Sequence, residues 1–545
     1  MNKVAHYLQE HVVGEVMTNN AARRYFSTDN SIFTLTPSVI VYPKNENDVR
    51  KTARFTWQLA ERNRIISITA RGSGTDLSGA AIGSGIMMAF PAHLNHVQYF
   101  DSKEGIVVVE AGLNFGKLQQ LLLSYGRFLP PAPASLEYST VGGAVANNTS
   151  SMRSFKYGDM RNYVRGLRVV LANGEVIETG KLTKKELNRK LGLTTFEGEI
   201  YRSVDTLLEE NKEIIGKSII NVSKNVAGYD LVDIKQNDGS FDLTPLFVGS
   251  QGTLGLITEI TLDSDIVPND TTLVVAYLES IQDVQSAVLS LRDLKELPNA
   301  IELVDANLLS YVSSINANYL KDVIAPPYPK FVLLIEVAND KEHKQKKLIK
   351  IIQKTLSKLT QSIVIEEDSD KQKIIWKLRD ASSLLSGHIE GHLSPIPLID
   401  DGIVPVDKLA ALIDSIYHQF AKEHLQVAIW GHAGDGNLHV QPYLNLGQVG
   451  DRQKAFRMLE EYNRQLRELG GSTTGQYNDG RLRAPYLDKL YSEDVYKLFQ
   501  KIKTIFDPYG TLNPGVKINV SLDEIKPLVR NEYSIDHIYD HLPLS

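Results

Sequence analysis

The chain has 545 residues, 42% hydrophobic and 23% charged, with 59 basic against 65 acidic side chains and a formal net charge of −6. That composition fits a globular enzyme of about three domain-sized units; it excludes disordered and fibrous classes and gives no basic footprint for nucleic acid. The absence of cysteine excludes disulfides, iron–sulfur clusters, thiolate catalysis and a cysteinyl flavin link, so redox chemistry would need a bound organic cofactor or a metal held by His and carboxylates.

The opening Met1-Asn2-Lys3-Val4-Ala5-His6 has no signal-peptide core, and no run of about 18 apolar residues occurs, so a cytoplasmic protein without an integral membrane segment is expected. After a helical lead, Ser38 to Pro43 reads as a strand. Asn47 is placed to cap a helix whose apolar face carries Val49, Ala53, Trp57 and Ala60. The apolar run Ile65 to Thr69 then enters Ala70-Arg71-Gly72-Ser73-Gly74-Thr75-Asp76-Leu77-Ser78-Gly79. Glycine at alternate places with small hydroxyl residues between them reads either as a nest of backbone N–H groups for phosphate oxygens or as a tight turn without ligand. It is not the dinucleotide fingerprint, whose third glycine would fall at Leu77.

A strand at Ile106 to Glu110, a helix near Phe115 to Tyr125 and the Pro130-Pro131-Ala132-Pro133 loop follow. Two more glycine stretches, Val141 to Asn148 and Leu246 to Ile257, read as glycine-interrupted strands, where a backbone approaches a flat ligand or simply packs closely. From about Pro268 the pattern becomes split βαβ, with strands at Leu273 to Leu278, Ala300 to Val304, Phe331 to Val337 and Ile363 to Glu366. Helices lie near Ile281 to Leu294 and Lys341 to Leu359, which predicts a ferredoxin-like antiparallel sheet with helices on one face. Long helices near Val406 to His424, Gln453 to Leu469 and Ser492 to Ile505 complete this part, and the charged tail from Asp523 reads as solvated surface. The expected organisation is a lead over 1–37, a first domain over 38–267, a cap over 268–505 and a return to the first domain over 506–545.

Asp435-Gly436 is a two-residue hairpin signal, and counting outward pairs His432 with His439. The two imidazoles then share a face with Asn437, close enough to hold one metal ion, or they stand at a solvated hairpin tip.

The Arg71 to Gly79 stretch, the Pro130-Pro131 loop, Val141-Gly142-Gly143, Tyr157-Gly158-Asp159, Asn225 to Asp230 and Gly249 to Gly255 together resemble the FAD-binding half of the vanillyl-alcohol-oxidase superfamily. Trp430 to His439 and Phe506 to Gly515 are similar to signatures of its glycolate oxidase, D-lactate dehydrogenase and D-2-hydroxyglutarate dehydrogenase branch. The resemblance implies an α+β fold, a two-subdomain PCMH-type FAD-binding domain plus a ferredoxin-like α+β cap, and a non-covalently held FAD. It assigns to the cofactor Arg71, Gly72, Ser73, Gly74, Thr75, Leu77, Ser78, Pro131, Thr140, Gly142, Gly143, Asn147, Tyr157, Gly158, Gly252, Ile257 and Asn513. It implies as catalytic Arg379, which holds a substrate carboxylate unless it is a helix-surface arginine paired with an acid, together with Asn437, His439 and Tyr477.

Metal-using relatives join the two His through a Glu of a Gly-Glu-His-Gly motif, whose His is the base. Here that stretch reads Thr474-Gly475-Gln476-Tyr477, so the resemblance implies a weakened or lost zinc or manganese site at His432, His439 and Gln476. Asp400-Asp401 is expected to support the site. The implied function is hydride transfer from a small carboxylate-bearing substrate, most simply a D-2-hydroxy acid such as D-lactate, glycolate or D-2-hydroxyglutarate, to flavin. The alternatives are a flavin-binding subunit or pseudoenzyme without that activity, and a metal-independent flavoenzyme using Tyr477. Without cysteines of its own the chain would pass electrons to a separate acceptor or iron–sulfur protein, and a homodimer is open to it.

Overall fold

The computed structural model describes residues 3–534, except 237, 269, 340 and 389. Beside a two-stranded sheet that pairs Arg127–Phe128 with Asp265–Ile266, its first part holds two larger sheets. One has four strands in the order Glu15–Met17, Val39–Tyr42, Ile86–Ala89, Ile68–Arg71, the last three parallel to one another. The other has five antiparallel strands in the order Val97–Asp101, Ile106–Glu110, Leu256–Asp263, Val164–Val170, Val176–Glu178. Apolar faces of both sheets meet helices in one core, from Ala5 and Val39 through Val109 and Leu167 to Phe506. Helix Glu493–Phe506 turns Val495, Leu498, Phe499 and Ile502 into this same core.

Several local expectations change. Asn45, two residues before Asn47, caps helix Glu46–Ala60, its Oδ1 accepting from Asp48 N at 3.1 Å. Val141–Asn147 is a short helix instead of a strand, because Thr140 caps it: its Oγ1 accepts from Gly143 N at 3.1 Å. The segment before Gly249 is helical too, over Thr244–Phe247, with Pro245 in its first turn. Gly249, Gln251 and Gly252 then take left-handed φ of 84°, 51° and 71°, which no strand passes through, before strand Leu256–Asp263 begins.

The second part is a six-stranded antiparallel sheet. Strands Thr271–Leu278, Ala300–Asp305, Phe331–Ala338 and Ile363–Glu366 lie in the order fourth, first, third, second, which is the ferredoxin-like order, and the hairpin Ile429–His432/Asn437–Val440 extends the edge beside Ala300–Asp305. Helices cover both faces, not one. Ile281–Arg292 and Glu342–Leu356 pack on the side of Val274, Leu303 and Ile335, whereas Ala306–Ile315 and Ser369–Gly387 cover Val275, Val304 and Leu334.

The two parts are joined by Arg153, whose Nε and Nη2 donate to the Glu336 carboxylate at 2.8 and 3.0 Å. The tail is not all solvated surface: Ile525 and Val529 are buried, and Arg530 donates to Ser31 O at 2.6 Å, while residues 535–545 lie outside the described residues.

Candidate active site

The cofactor end grows from the carboxyl end of strand Ile68–Arg71. The loop after it, the helix Val141–Asn147 and the turn Gln251–Gly252 surround one cleft, whose far end is closed by Gln476 and Tyr477. Of the residues assigned to the cofactor, Arg71, Gly72, Ser73, Gly74, Thr75, Leu77, Thr140, Gly142, Gly143, Asn147, Gly252 and Ile257 line it.

Several glycines here admit no side chain. A Cβ on Gly72 would stand 2.4 Å from the Thr140 side-chain Oγ1, and one on Gly142 would stand 2.6 Å from the main-chain oxygen of Ala111. At Gly143 a Cβ would stand 3.1 Å from Thr140 Oγ1, and at Gly252 it would meet nothing closer than 3.8 Å, but the φ of 71° there favours glycine. Backbone donors with small residues around an open slot suit the diphosphate and flat rings of FAD, so the residues fit that cofactor.

Other assigned residues stand behind the wall. The Arg71 side chain lies under the loop, Nη1 donating to Ala81 O at 2.9 Å and its guanidinium over the Phe26 ring, and burial lowers its pKa. Ser78 is bonded to Asp76, which also accepts from Asn147 Nδ2 at 3.3 Å. Asn513 staples the loop to the turn, donating through Nδ2 to Ala80 O at 2.9 Å and Gln251 O at 2.8 Å. Tyr157 packs edge-on against Phe128, Gly158 turns there with φ of 83°, and at the proline loop Pro133 reaches the cleft where Pro131 does not.

The substrate end is made of buried side chains. Leu303 pairs with Gly431 and Val304 with Trp430, and this register sets Glu302 opposite His432. His432 Nδ1 stands 2.7 Å from Glu302 Oε1, and Arg379 Nε donates to Glu302 Oε2 at 2.6 Å. Burial works against the Glu302 carboxylate, but His432 and Arg379 outweigh it and hold it below the usual range. Burial lowers the His432 pKa against the pull of Glu302.

Arg379 is thus paired with an acid, as its second reading required, but a buried one inside the site. Its Nη1 donates to Ser382 Oγ at 3.0 Å.

The hairpin register differs from the count. Trp430 pairs with His439 and His432 with Asn437, because Ala433 to Asp435 form a 3-10 turn and Gly436 takes φ of 74°, giving a four-residue turn where two were expected. The two His are diagonal neighbours on one face, rings perpendicular with centroids 5.2 Å apart. His439 Nδ1 is held by Asp400 Oδ1 at 2.8 Å, and its ring stacks on Tyr477 at 5.4 Å. Asn437 gives its amide N–H to Asp401 O at 3.0 Å, and its buried Oδ1 has no hydrogen-bond partner among the described residues.

Asp401, with φ of 73°, shapes the Gln476–Tyr477 edge, its Oδ2 accepting from Thr474 Oγ1, from Gln476 N at 3.1 Å and from Tyr477 N at 2.6 Å. Burial first, then Asp400 and Asp401, push the Tyr477 phenol well above its ordinary pKa.

Gln476 makes a bridge: Nε2 donates to Ser150 O at 2.9 Å, and Oε1 faces His432 Nε2 at 3.1 Å. This set does not fit a divalent metal. Its third ligand is a neutral amide oxygen in place of an anionic one, and among the described residues no three His, Asp or Glu side chains are arranged to hold an ion, although Glu302 and Asp400 orient the two rings through Nδ1. Glu302 escaped the sequence reading, although a lone acid inside the apolar run Ala300-Ile301-Glu302-Leu303-Val304 was the available signal.

Two family models match the chain, the FAD binding domain over residues 37–180 and the FAD linked oxidases, C-terminal domain over residues 267–516. Among solved structures, p-cresol methylhydroxylase with substrate bound aligns with a TM-score of 0.69 at 16% identity, over 96% of this chain and 97% of that one. 4-Ethylphenol oxidase from Gulosibacter chungangensis aligns with a TM-score of 0.67 at 16% identity, with the same coverage of 96% and 97%. The chain therefore carries an FAD binding domain and an FAD linked oxidases C-terminal domain, and it shares the fold of these solved flavoenzyme structures.

Within that class its similarity is to the hydroxy-acid branch. D-2-hydroxyglutarate dehydrogenase of Escherichia coli is 29% identical over 521 residues, 93% of this chain and 50% of the relative, so the chain spans about half of that protein's length. Glycolate oxidase subunit GlcD of Bacillus subtilis is 28% identical over 501 residues, 91% of this chain and 92% of the relative. D-lactate dehydrogenase of Anaerostipes hadrus is 26% identical over 486 residues, 88% and 89% respectively. Among the described residues no helix is long and apolar enough to cross a membrane.

Proposed function

We propose that the chain oxidises a small D-2-hydroxy acid, of the kind named for its relatives, without a divalent metal. The observation that carries this reading is His439, oriented by Asp400 and stacked on Tyr477 at the end of the FAD cleft, with Arg379 fixed beside it by the buried Glu302. FAD in the cleft supplies the hydride acceptor.

The chain's residues do the rest. Arg379 presents its guanidinium to the substrate carboxylate, held in plane by Glu302. Asp400 on Nδ1 leaves His439 Nε2 free to take the hydroxyl proton, the orientation a general base needs. Tyr477 stays protonated and donates a hydrogen bond to the substrate oxygen. Electrons leave to a separate acceptor.

Anaerobic addition of a 2-hydroxy-acid panel should bleach the flavin equally with chelator and with added zinc or manganese. No bleaching by any member would sink the reading, and bleaching only with metal would return the role to His432 and His439 as ligands. A second reading, a flavin-binding subunit without this activity, is favoured by the Gln476 bridge; activity appearing only in Gln476→Glu/Tyr477→His would support it.

A further inference from the structure

One wall of the cofactor cleft comes from outside both matched ranges. Asn30 lines the cleft beside Gly74, its backbone N donating to Gly74 O at 3.1 Å. The side chain is 7% exposed, and its buried Oδ1 has no hydrogen-bond partner among the described residues. A buried amide without a partner is costly, about 1–3 kcal/mol, unless a ligand completes it.

The segment that carries Asn30 is gripped from the far end of the chain. Tyr533 Oη donates to Asn30 O at 2.9 Å, Arg530 Nη2 to Ser31 O at 2.6 Å, and Arg530 N to Ile32 O at 3.0 Å. On the other side, Asp29 Oδ2 accepts from Ala81 N at 3.3 Å, tying the segment to the end of the glycine loop.

We propose that Asn30 is a further FAD-binding residue, its amide completing hydrogen bonds to the cofactor next to the diphosphate loop, and that Arg530 and Tyr533 form a clasp that positions it. The inference concerns cofactor retention alone and stands apart from the identity of the substrate.

The test is FAD affinity and release rate of the full chain, read by flavin fluorescence, for Asn30→Ala, Asn30→Asp and Tyr533→Phe, with thermal unfolding of each apo-protein alongside. Asn30→Ala is expected to weaken FAD about tenfold, or about 1.4 kcal/mol, at an unchanged apo melting temperature. Asn30→Asp weakens it further by placing a carboxylate near the diphosphate. Tyr533→Phe removes one hydroxyl from the clasp and speeds release, which keeps the test informative if an Asn30 variant does not fold. Affinity within about twofold of the parent in folded Asn30→Ala, or an unaltered release rate in Tyr533→Phe, overturns the proposal. Since no substrate is used, a chain that never oxidises a hydroxy acid can still pass or fail it.

Discussion

At the cofactor end the wall is built largely of small residues: Gly72 and Gly142 let neighbouring segments approach too closely for a side chain, and Gly252 makes a left-handed turn beside the same slot. At the substrate end the contacts are side chains, with Glu302, Arg379, His432, Gln476, Asp400 and His439 linked by hydrogen bonds in the interior. A backbone site tolerates substitution only where a Cβ has room. A side-chain network can be rewritten one residue at a time, as at Gln476 and Tyr477, while the scaffold beneath it stays the same.

The largest expected effect on flavin content tests the backbone side. Gly142→Ala puts a Cβ 2.6 Å from Ala111 O and 2.8 Å from Ala111 Cβ, where the obstructing oxygen belongs to the main chain. Overpacking of this kind costs about 1–3 kcal/mol and displaces the wall, so the protein should purify without flavin absorbance. Normal flavin content would break the contrast at once.

The largest expected effect on folding stability is that of Glu302→Ala, which leaves the Arg379 guanidinium buried without its acid. Breaking a buried pair costs about 3–5 kcal/mol, so the denaturant midpoint should fall steeply. Flavin content per folded molecule should hold, since Glu302 lies outside the cleft wall.

The smallest effect is Tyr477→Phe, which keeps the stack on His439 and removes one hydroxyl. Loss of about tenfold in the rate of flavin reduction is expected, the worth of one hydrogen bond of about 0.5–1.5 kcal/mol. A loss beyond about a hundredfold would instead indicate proton transfer through the phenol. The phenol pKa is raised, so Tyr477 stays protonated up to at least its ordinary value of about 10, and the pH–rate profile should show no limb from it below that pH.

The same contrast explains what could be read beforehand. Glycines demanded by backbone geometry stand openly in the sequence, and the turn at Gly74 lies where its spacing placed it. The strand order of the cap followed from alternating βα patterns because long apolar runs such as Phe331–Ala338 have one reading. Val141–Asn147 was misread because a short run of small residues is ambiguous, and the capping Thr140 decides it. The His pairing slipped because a left-handed Gly436 can close a two-residue or a four-residue turn, and only the neighbouring strand Ala300–Asp305 sets the register. The partners of Arg379 were invisible for a related reason: Glu302 is 77 positions away, and nothing local marks the pair.

The clasp around Asn30 also bears on the order of events during synthesis. Tyr533 and Asn30 are 503 positions apart, and Thr69 meets Asn513 across 444. Closing so long a loop adds only about 2 kcal/mol over a loop of some 60 residues, since each doubling contributes about 0.6. The delay is one of time: at about 5–20 residues per second, roughly 25–100 s separate emergence of the two partners from the ribosome. The nascent glycine loop must wait that long for its last wall, so the cleft is completed only once Tyr533 has emerged.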